Sequence, residues 1–344
     1  MDKNIKTLII LAFVVIAIGA VFSFLLYRPP ALLPAIDPIK NPEFVPGRLN
    51  TPLPSEFALA FSLVHKGNED IYTIDDKGEL SRLTYSRWRE YLPSWSPSRN
   101  WIAYVSDEIN EGGDIWIMKA DGTSKIRLTN HSINTLPTWS KDGRTILFLS
   151  NRNNTRNMNK SIYWSQLRLY HFSLINATPV YRPPVYFKGM REQLDILDNV
   201  PFQTLRDGKV VFSYRQANPN SFIQQSAVLL PNNNYTSEDI FSPGYFPIYN
   251  PGRYSYVYSL GNSKDAELYL SIPEVDSKIQ ITNNTIEDRD PEWSPDGNYI
   301  AYFSEFQDGS QSIMIKSVIK GDAGFTIKLI NGEFPRGHFL AWSR

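Results

Sequence analysis

A short segment made of proline, a spacer, an aromatic ring, a small polar residue and a turn recurs along this chain. It constrains the fold more than any other feature. The copies read Pro93-Ser94-Trp95-Ser96-Pro97, Pro137-Thr138-Trp139-Ser140-Lys141-Asp142-Gly143 and Pro291-Glu292-Trp293-Ser294-Pro295-Asp296-Gly297, with a degenerate one at Pro247-Ile248-Tyr249-Asn250-Pro251-Gly252. Another, Arg206-Asp207-Gly208, keeps the turn but has Thr204 at the aromatic position, and Ala341-Trp342-Ser343-Arg344 begins one more. Each copy but that last one is followed by a short alternating apolar run such as Trp101-Ile102-Ala103-Tyr104-Val105-Ser106 or Tyr299-Ile300-Ala301-Tyr302-Phe303-Ser304. A large ring in a fixed place fills the gap between stacked sheets. Asp-Gly supplies the positive φ of a tight hairpin. The run of period two that follows is a strand packing one face inward.

The aromatic positions are 95, 139, 204, 249, 293 and 342, so successive intervals are 44, 65, 45, 44 and 49 residues. Apart from the long second interval, which contains the Asn-rich stretch 151–159 and Pro183-Pro184, this is the period of a four-stranded propeller blade. Asp114-Ile115-Trp116-Ile117-Met118 supplies a third strand, and Ile126-Arg127-Leu128-Thr129 and Ile279-Gln280-Ile281-Thr282 supply outer fourth strands. Six positions predict an all-β, six-bladed β-propeller over residues 57–344. Its sixth blade takes one strand from 339–343 and three from 57–64, 70–74 and 80–84. Joining the two ends in one sheet removes edges that otherwise template aggregation.

These motifs resemble the TolB-type, WD-repeat-like β-propeller family, over roughly residues 57–344, with Trp293-Ser294-Pro295-Asp296-Gly297 the clearest copy. The resemblance implies a fold and an extracytoplasmic setting in which such propellers bind other proteins. TolB has an α/β domain ahead of its propeller. Here a different segment stands in that place, so TolB's own partners are not carried over.

That segment divides into a short cytoplasmic N-terminus (1–6), an uncharged apolar run (7–27) and a proline-rich linker (28–56). At about 1.5 Å per residue a helix over 7–27 reaches roughly 30 Å, the hydrocarbon thickness of a bilayer. Pro29 and Pro30 then stop it. The expectation is one transmembrane helix preceding the propeller and holding it at the cell membrane. A cleaved signal peptide, with Ala17-Ile18-Gly19 as its small-residue site, is the competing reading, although the apolar run continues past that point. Lys3 and Lys6 on one flank against Arg28 and Lys40 on the other give only a slight inside bias. The family resemblance sets the propeller on the extracytoplasmic side.

The chain has 35 basic and 35 acidic side chains and no cysteine. Charge balance gives no reason to expect nucleic acid. The missing thiol excludes disulfides, thiolate metal sites and a cysteine nucleophile. The four histidines, His65, His131, His171 and His338, do not have zinc-motif spacing. No Gly-x-Ser-x-Gly elbow and no phosphate-binding glycine loop is present. The sequence therefore predicts no catalytic residue, no metal and no cofactor. It predicts a monomeric, non-catalytic scaffold that binds a protein or peptide of the cell envelope. The competing class is a carbohydrate-active or metal-dependent enzyme, lyase-like or hydrolase-like, working on the channel face.

In propellers of this type, the segment between the outer strand of one blade and the inner strand of the next lies on one face, near the channel. Those segments hold Arg87, Trp88, Arg89, Glu90 and Tyr91, then His131 and Asn134, then Asp288, Arg289 and Asp290, and finally Arg336 and His338. Arginine and aromatic residues together are enriched at binding hot spots. Arg89, Arg289 and Arg336 stand at similar distances before Trp95, Trp293 and Trp342, so pseudo-rotational symmetry predicts three guanidinium groups converging on one rim. An acidic peptide or carboxylate is the ligand such a rim favours. Asp288 and Asp290 are positioned to neutralise Arg289 instead.

Overall fold

The computed structural model describes residues 57–109, 112–130, 132–150, 168–174, 195–196, 203–204, 210–218, 221–229, 235–240, 245–253, 255–261, 265–272, 277–318, 326–334 and 340–343. The chain divides into two units, Met1–Glu43 and Phe44–Arg344, and every described residue lies in the second. No helix occurs among the described residues, and so none there is long and apolar enough to cross a membrane. The apolar run 7–27 and the linker 28–56 lie outside them.

The described strands form six antiparallel sheets. Sheet 1 contains β1 (Leu59–His65), β2 (Asn68–Ile74) and β3 (Leu80–Arg82). Sheet 2 contains β4 (Glu90–Trp95), β5 (Trp101–Ser106), β6 (Asp114–Lys119) and β7 (Ile126–Arg127). Sheet 3 contains β8 (Asn134–Trp139), β9 (Thr145–Ser150) and β10 (Arg168–Ser173). Sheet 4 contains β11 (Asp195–Ile196), β12 (Gln203–Thr204), β13 (Val210–Asn218), β14 (Ser221–Leu229) and β15 (Tyr235–Ile240). Sheet 5 contains β16 (Tyr245–Tyr249), β17 (Tyr256–Leu260), β18 (Glu267–Ile272) and β19 (Ser277–Gln280). Sheet 6 contains β20 (Glu287–Trp293), β21 (Tyr299–Glu305), β22 (Gln311–Ser317) and β23 (Thr326–Gly332). The last strand, β24 (Ala341–Trp342), returns to sheet 1 and pairs with β1, Leu59 opposite Trp342 and Ala60 opposite Ala341. Ser343 N–H donates to Ala58 O at 2.8 Å, and Ala58 N–H donates to Ser343 Oγ at 2.7 Å. The two chain ends thus share a sheet, as their complementary remnants of one repeat predict.

Each position of the repeated motif has an atomic role. Trp139 Nε1 donates to Ser94 O (3.0 Å), Trp293 Nε1 to Ile248 O (3.0 Å) and Trp342 Nε1 to Glu292 O (3.2 Å). In each case the acceptor is the residue before the aromatic of the preceding sheet. The serine that follows turns the other way: Ser96, Ser140 and Ser294 accept, through Oγ, the backbone N–H of Trp101, Thr145 and Tyr299. Asp142 and Asp296 accept that serine's hydroxyl at 2.6 Å and the N–H two residues on at 3.0 Å. Gly297 then turns at φ 71°, against sheet 5, where an added Cβ would meet Asn250 Oδ1 at 2.5 Å.

The strand after the motif buries both faces, whereas the sequence pattern suggested only one. In β5, Ile102 and Tyr104 pack in the seam with sheet 1 and Ala103 and Val105 in the seam with sheet 3. In β21, Ile300 and Tyr302 face sheet 5 while Ala301 and Phe303 face sheet 1. Alternation therefore distributes apolar side chains between two seams. The first strand of three sheets is also kinked. Leu92, Leu136 and Asp290 take φ of 54°, 52° and 50°, each just before a proline and at a register shift in the ladder. Such a bulge re-aims the residues beyond it, and here those residues include the seam tryptophan.

Two outcomes follow for stability. Trp342 is buried among Leu59, Ala301 and Leu340, so Trp342→Ala is expected to cost about 3–5 kcal/mol in chemical denaturation. Trp95 Nε1 is buried without a hydrogen-bond partner. Trp139→Phe and Trp293→Phe orphan a carbonyl in the seam and Trp95→Phe does not, so each of the former is expected to be more destabilising by about 1–2 kcal/mol.

Candidate functional site

Between β3 and β4 the chain crosses from one sheet to the next, and a polar framework fixes that crossing. Asp70, fully buried at the inner end of β2, accepts Arg82 Nη2 at 2.6 Å. Thr84 Oγ1 accepts Ile71 N–H at 2.8 Å and donates to Asp70 Oδ1 at 3.4 Å. Sheet 2 repeats the arrangement: Arg127 donates to Asp114 at 2.6 Å, and Thr129 Oγ1 both accepts Ile115 N–H and donates to Asp114. The Leu-Thr pair that recurs at Leu83-Thr84 and Leu128-Thr129 therefore marks the place where an outer strand is tied to the middle of its sheet.

From that anchor, residues 85–89 form the crossing loop, with Tyr85, Arg87, Trp88 and Arg89 exposed. Ser86 Oγ accepts Trp88 N–H at 3.0 Å and donates to Trp88 O at 3.1 Å, closing a tight turn. Asn68 Nδ2 holds Ser86 O at 2.7 Å. Three guanidinium groups stack on rings at 4.7 Å: Arg82 on Tyr85, Arg87 on Trp88 and Arg89 on Tyr91. The neighbouring loop at 107–109 is bound to this one, since Asp107 N–H donates to Arg89 O at 3.1 Å and Tyr91 OH donates to Asp107 Oδ1 at 3.1 Å. Burial pushes the Tyr91 phenol above its usual range, with Asp107 adding to the shift, so it serves as a donor.

Five large apolar side chains are exposed among the described residues, and three of them lie on these two loops: Tyr85 at 45%, Trp88 at 37% and Ile109 at 59%. The other two, Ile126 and Ile279, sit on the separate outer strands β7 and β19. Arg87 is exposed and has no carboxylate partner among the described residues.

The structure separates the residues that the sequence grouped. Arg87 and Trp88 are exposed side by side. Arg89 is half exposed, but its guanidinium is engaged by buried Glu69 through Nε and Nη2, both at 3.1 Å, and by Asp107 at 3.6 Å. Arg289 does not face a rim. It is 5% exposed, pairs with buried Asp290 at 2.6 Å, donates to Phe334 O at 3.1 Å and lies over the Phe303 ring. Asp288 is fully buried and accepts from Ser304 Oγ at 2.5 Å and Asn284 Nδ2 at 2.8 Å. Burial pushes its carboxyl up, against those hydrogen bonds. The predicted convergence of three arginines is corrected for Arg289, because it lies within β20 itself and is held there by Asp290, by the Phe303 ring of β21 and by the Phe334 carbonyl just after β23. His131, Arg336 and His338 lie outside the described residues.

Tyr85, Ile109, Glu69 and Asp107 were absent from the sequence reading. Tyr85 had a legible signal, standing directly after Leu83-Thr84 in the same crossing segment. Glu69 and Asp107 had none, because both reach Arg89 only through sheet pairing. No group of three or more His, Asp or Glu among the described residues is placed to hold a metal ion.

No family model matches the chain. An uncharacterized protein of Agrobacterium fabrum is 34% identical over 83 residues, which is 24% of this chain and 28% of that protein. Among solved structures, TolB from Acinetobacter baumannii superposes with a TM-score of 0.60 at 17% identity, covering 83% of this chain and 66% of TolB. A putative TolB from Agrobacterium tumefaciens gives 0.54 at 14% identity, covering 82% and 91%. A chain of a nidogen/laminin complex gives 0.53 at 7% identity, covering 84% and 98%. The chain therefore has a TolB-like β-propeller fold.

Arg289→Ala is expected to lower stability by about 3–5 kcal/mol, since it leaves Asp290 buried without its cation. Arg87→Ala is expected to change stability by less than about 0.5 kcal/mol. Thermal or denaturant unfolding of the two variants distinguishes a buried structural arginine from an exposed one.

Proposed function

We propose that this chain is a membrane-anchored, six-bladed propeller held on the extracytoplasmic side, acting as a non-catalytic scaffold that captures a protein or peptide of the cell envelope. The observation that supports this most directly is the exposed surface of Tyr85, Trp88 and Ile109 beside Arg87, on two loops tied to each other by Asp107. Apolar anchors next to an uncommitted guanidinium are the composition of a binding hot spot. Arg87 supplies the bidentate donor an acidic segment requires. TolB-like propellers and a nidogen/laminin complex share the fold, so the fold accommodates a protein-binding role.

The helix expected over 7–27 supplies the anchor. No resident cofactor enters this reading, and elemental analysis of the purified chain is expected to find no stoichiometric metal. A stoichiometric ion would favour the enzyme reading.

The double variant Arg87→Ala/Trp88→Ala is expected to fold normally and to lose at least tenfold in affinity for the partner recovered from the native envelope. Unchanged affinity assigns binding to another surface. In sealed, inside-out vesicles the propeller is expected to resist added protease; digestion there reverses the orientation.

A further inference from the structure

The turn that carries the exposed rings is built twice in this chain, and its second copy shows what the fold alone requires there. Between β19 and β20, Thr282 Oγ1 accepts Leu268 N–H at 2.9 Å, as Thr84 Oγ1 accepts Ile71 N–H ahead of the turn at 85–89. Asn284 Oδ1 then accepts Ile286 N–H at 2.8 Å, the counterpart of the bond between Ser86 Oγ and Trp88 N–H. Both crossings end six residues after their threonine, at Glu90 and at Asp288. The two turns therefore match residue for residue, and their side chains differ. Asn283, Asn284 and Thr285 are exposed at one, with Ile286 half-buried, whereas Tyr85, Arg87 and Trp88 are exposed at the other. Small polar residues satisfy this turn. Rings left in water at 85 and 88 serve a contact outside the chain.

The charges on the surface narrow what that contact is. The loops at 85–89 and 107–109 carry Arg87, Arg89, Asp107 and Glu108. Arg89 is committed to Asp107 and to Glu69, which is 3% exposed. Drawing Arg89 towards a ligand would leave Glu69 buried without its cation. Arg87 has no such duty. It is exposed and lies over the Trp88 ring at 4.7 Å, and its planar fork of donors matches one carboxylate. Glu108 is exposed beside Ile109. A second acid on a ligand therefore meets like charge on these loops and no further free arginine. Lys66, exposed on the hairpin between β1 and β2, offers a point charge rather than a fork.

We propose that this surface selects a peptide segment in which one aspartate or glutamate stands among bulky apolar side chains, and that it discriminates against acid-rich segments. Arg87 takes the carboxylate, and Tyr85, Trp88 and Ile109 take the apolar neighbours. Glu108 turns away a second acid, so that selectivity comes from a repulsive element as well as an attractive one. Arg89 is a positioning residue, joining the two loops through Asp107 rather than touching the ligand. This selectivity rests on the binding role proposed above and narrows it from acidic segments in general to those with a single acid.

Random heptapeptides displayed on phage and selected against the full chain in lipid nanodiscs test this. Enriched sequences are expected to hold one Asp or Glu flanked by Leu, Ile, Phe or Trp. A synthetic peptide of the enriched sequence is expected to bind at least about tenfold more weakly when its acid is replaced by the matching amide. Arg87→Ala is expected to bind the acid and amide peptides alike, and Lys66→Ala to keep the difference between them. Glu108→Gln is expected to bind a peptide with added glutamates more tightly than the native chain does. Enrichment of acid-rich sequences, or of none, overturns the proposal. So does equal binding of acid and amide peptides by the native chain, a difference that persists in Arg87→Ala, or one that is lost in Lys66→Ala. Peptides lost in Trp88→Ala but indifferent to the acid leave the binding role standing and end the selectivity. Peptides that bind Trp88→Ala as well as they bind the native chain end both.

Discussion

An indole ring in a seam, donating its N–H to a carbonyl of the sheet before it, is the contact on which this structure depends. Trp139, Trp293 and Trp342 each make it. The contact joins an undirected force to a directed one. The ring excludes water from the gap between two sheets, and the hydrogen bond sets how far one sheet slides over the next. The kink at Leu92, Leu136 and Asp290 belongs to the same device, since an extra residue just before Pro-x-Trp is what points the ring into the seam. A leucine at positive φ is costly by roughly 1–2 kcal/mol. That the cost recurs at the same offset from Trp95 and Trp139 shows that the ring's placement outweighs it.

The seam between sheets 1 and 2 departs from the rule, because the Trp95 N–H has no acceptor. There the apolar contacts of Ala60, Ile71, Leu83, Ile102, Tyr104 and Met118 carry the join without the directional bond. It is also the seam beside which the exposed loops at 85–89 and 107–109 stand. The polar tie of Arg82 and Thr84 to Asp70 is what fixes the position of these loops instead.

Much of this was legible in the residues. Spacing alone located the aromatic positions, and the remnants at the two ends foretold the pairing of β24 with β1, because a repeat interrupted at both ends has one way to close its edges. The site was legible only in part. Arg87, Arg89 and Arg289 look alike in sequence, each an arginine shortly before a seam tryptophan. Which is free depends on neighbours that the sequence keeps far away: Glu69 lies 20 residues from Arg89, and Phe334 lies 45 from Arg289. That Glu90, Asn134 and Asp288 hold the same place was legible by counting five residues back from Trp95, Trp139 and Trp293; that all three are buried was not, because their cover comes from strands remote in sequence.

The contact between Ala58 and Ser343 spans 285 positions. At synthesis rates of about 5–20 residues per second, β1, β2 and β3 wait roughly 15–60 s for the strand that pairs with β1. Over that interval the apolar face of Leu59, Phe61 and Leu63 has neither sheet 6 nor Trp342 against it, and the edge of β1 is open to any strand nearby. Among the sheets described, sheet 1 is therefore the last to be completed during synthesis, and until then its open edge is an available template for a strand from another copy.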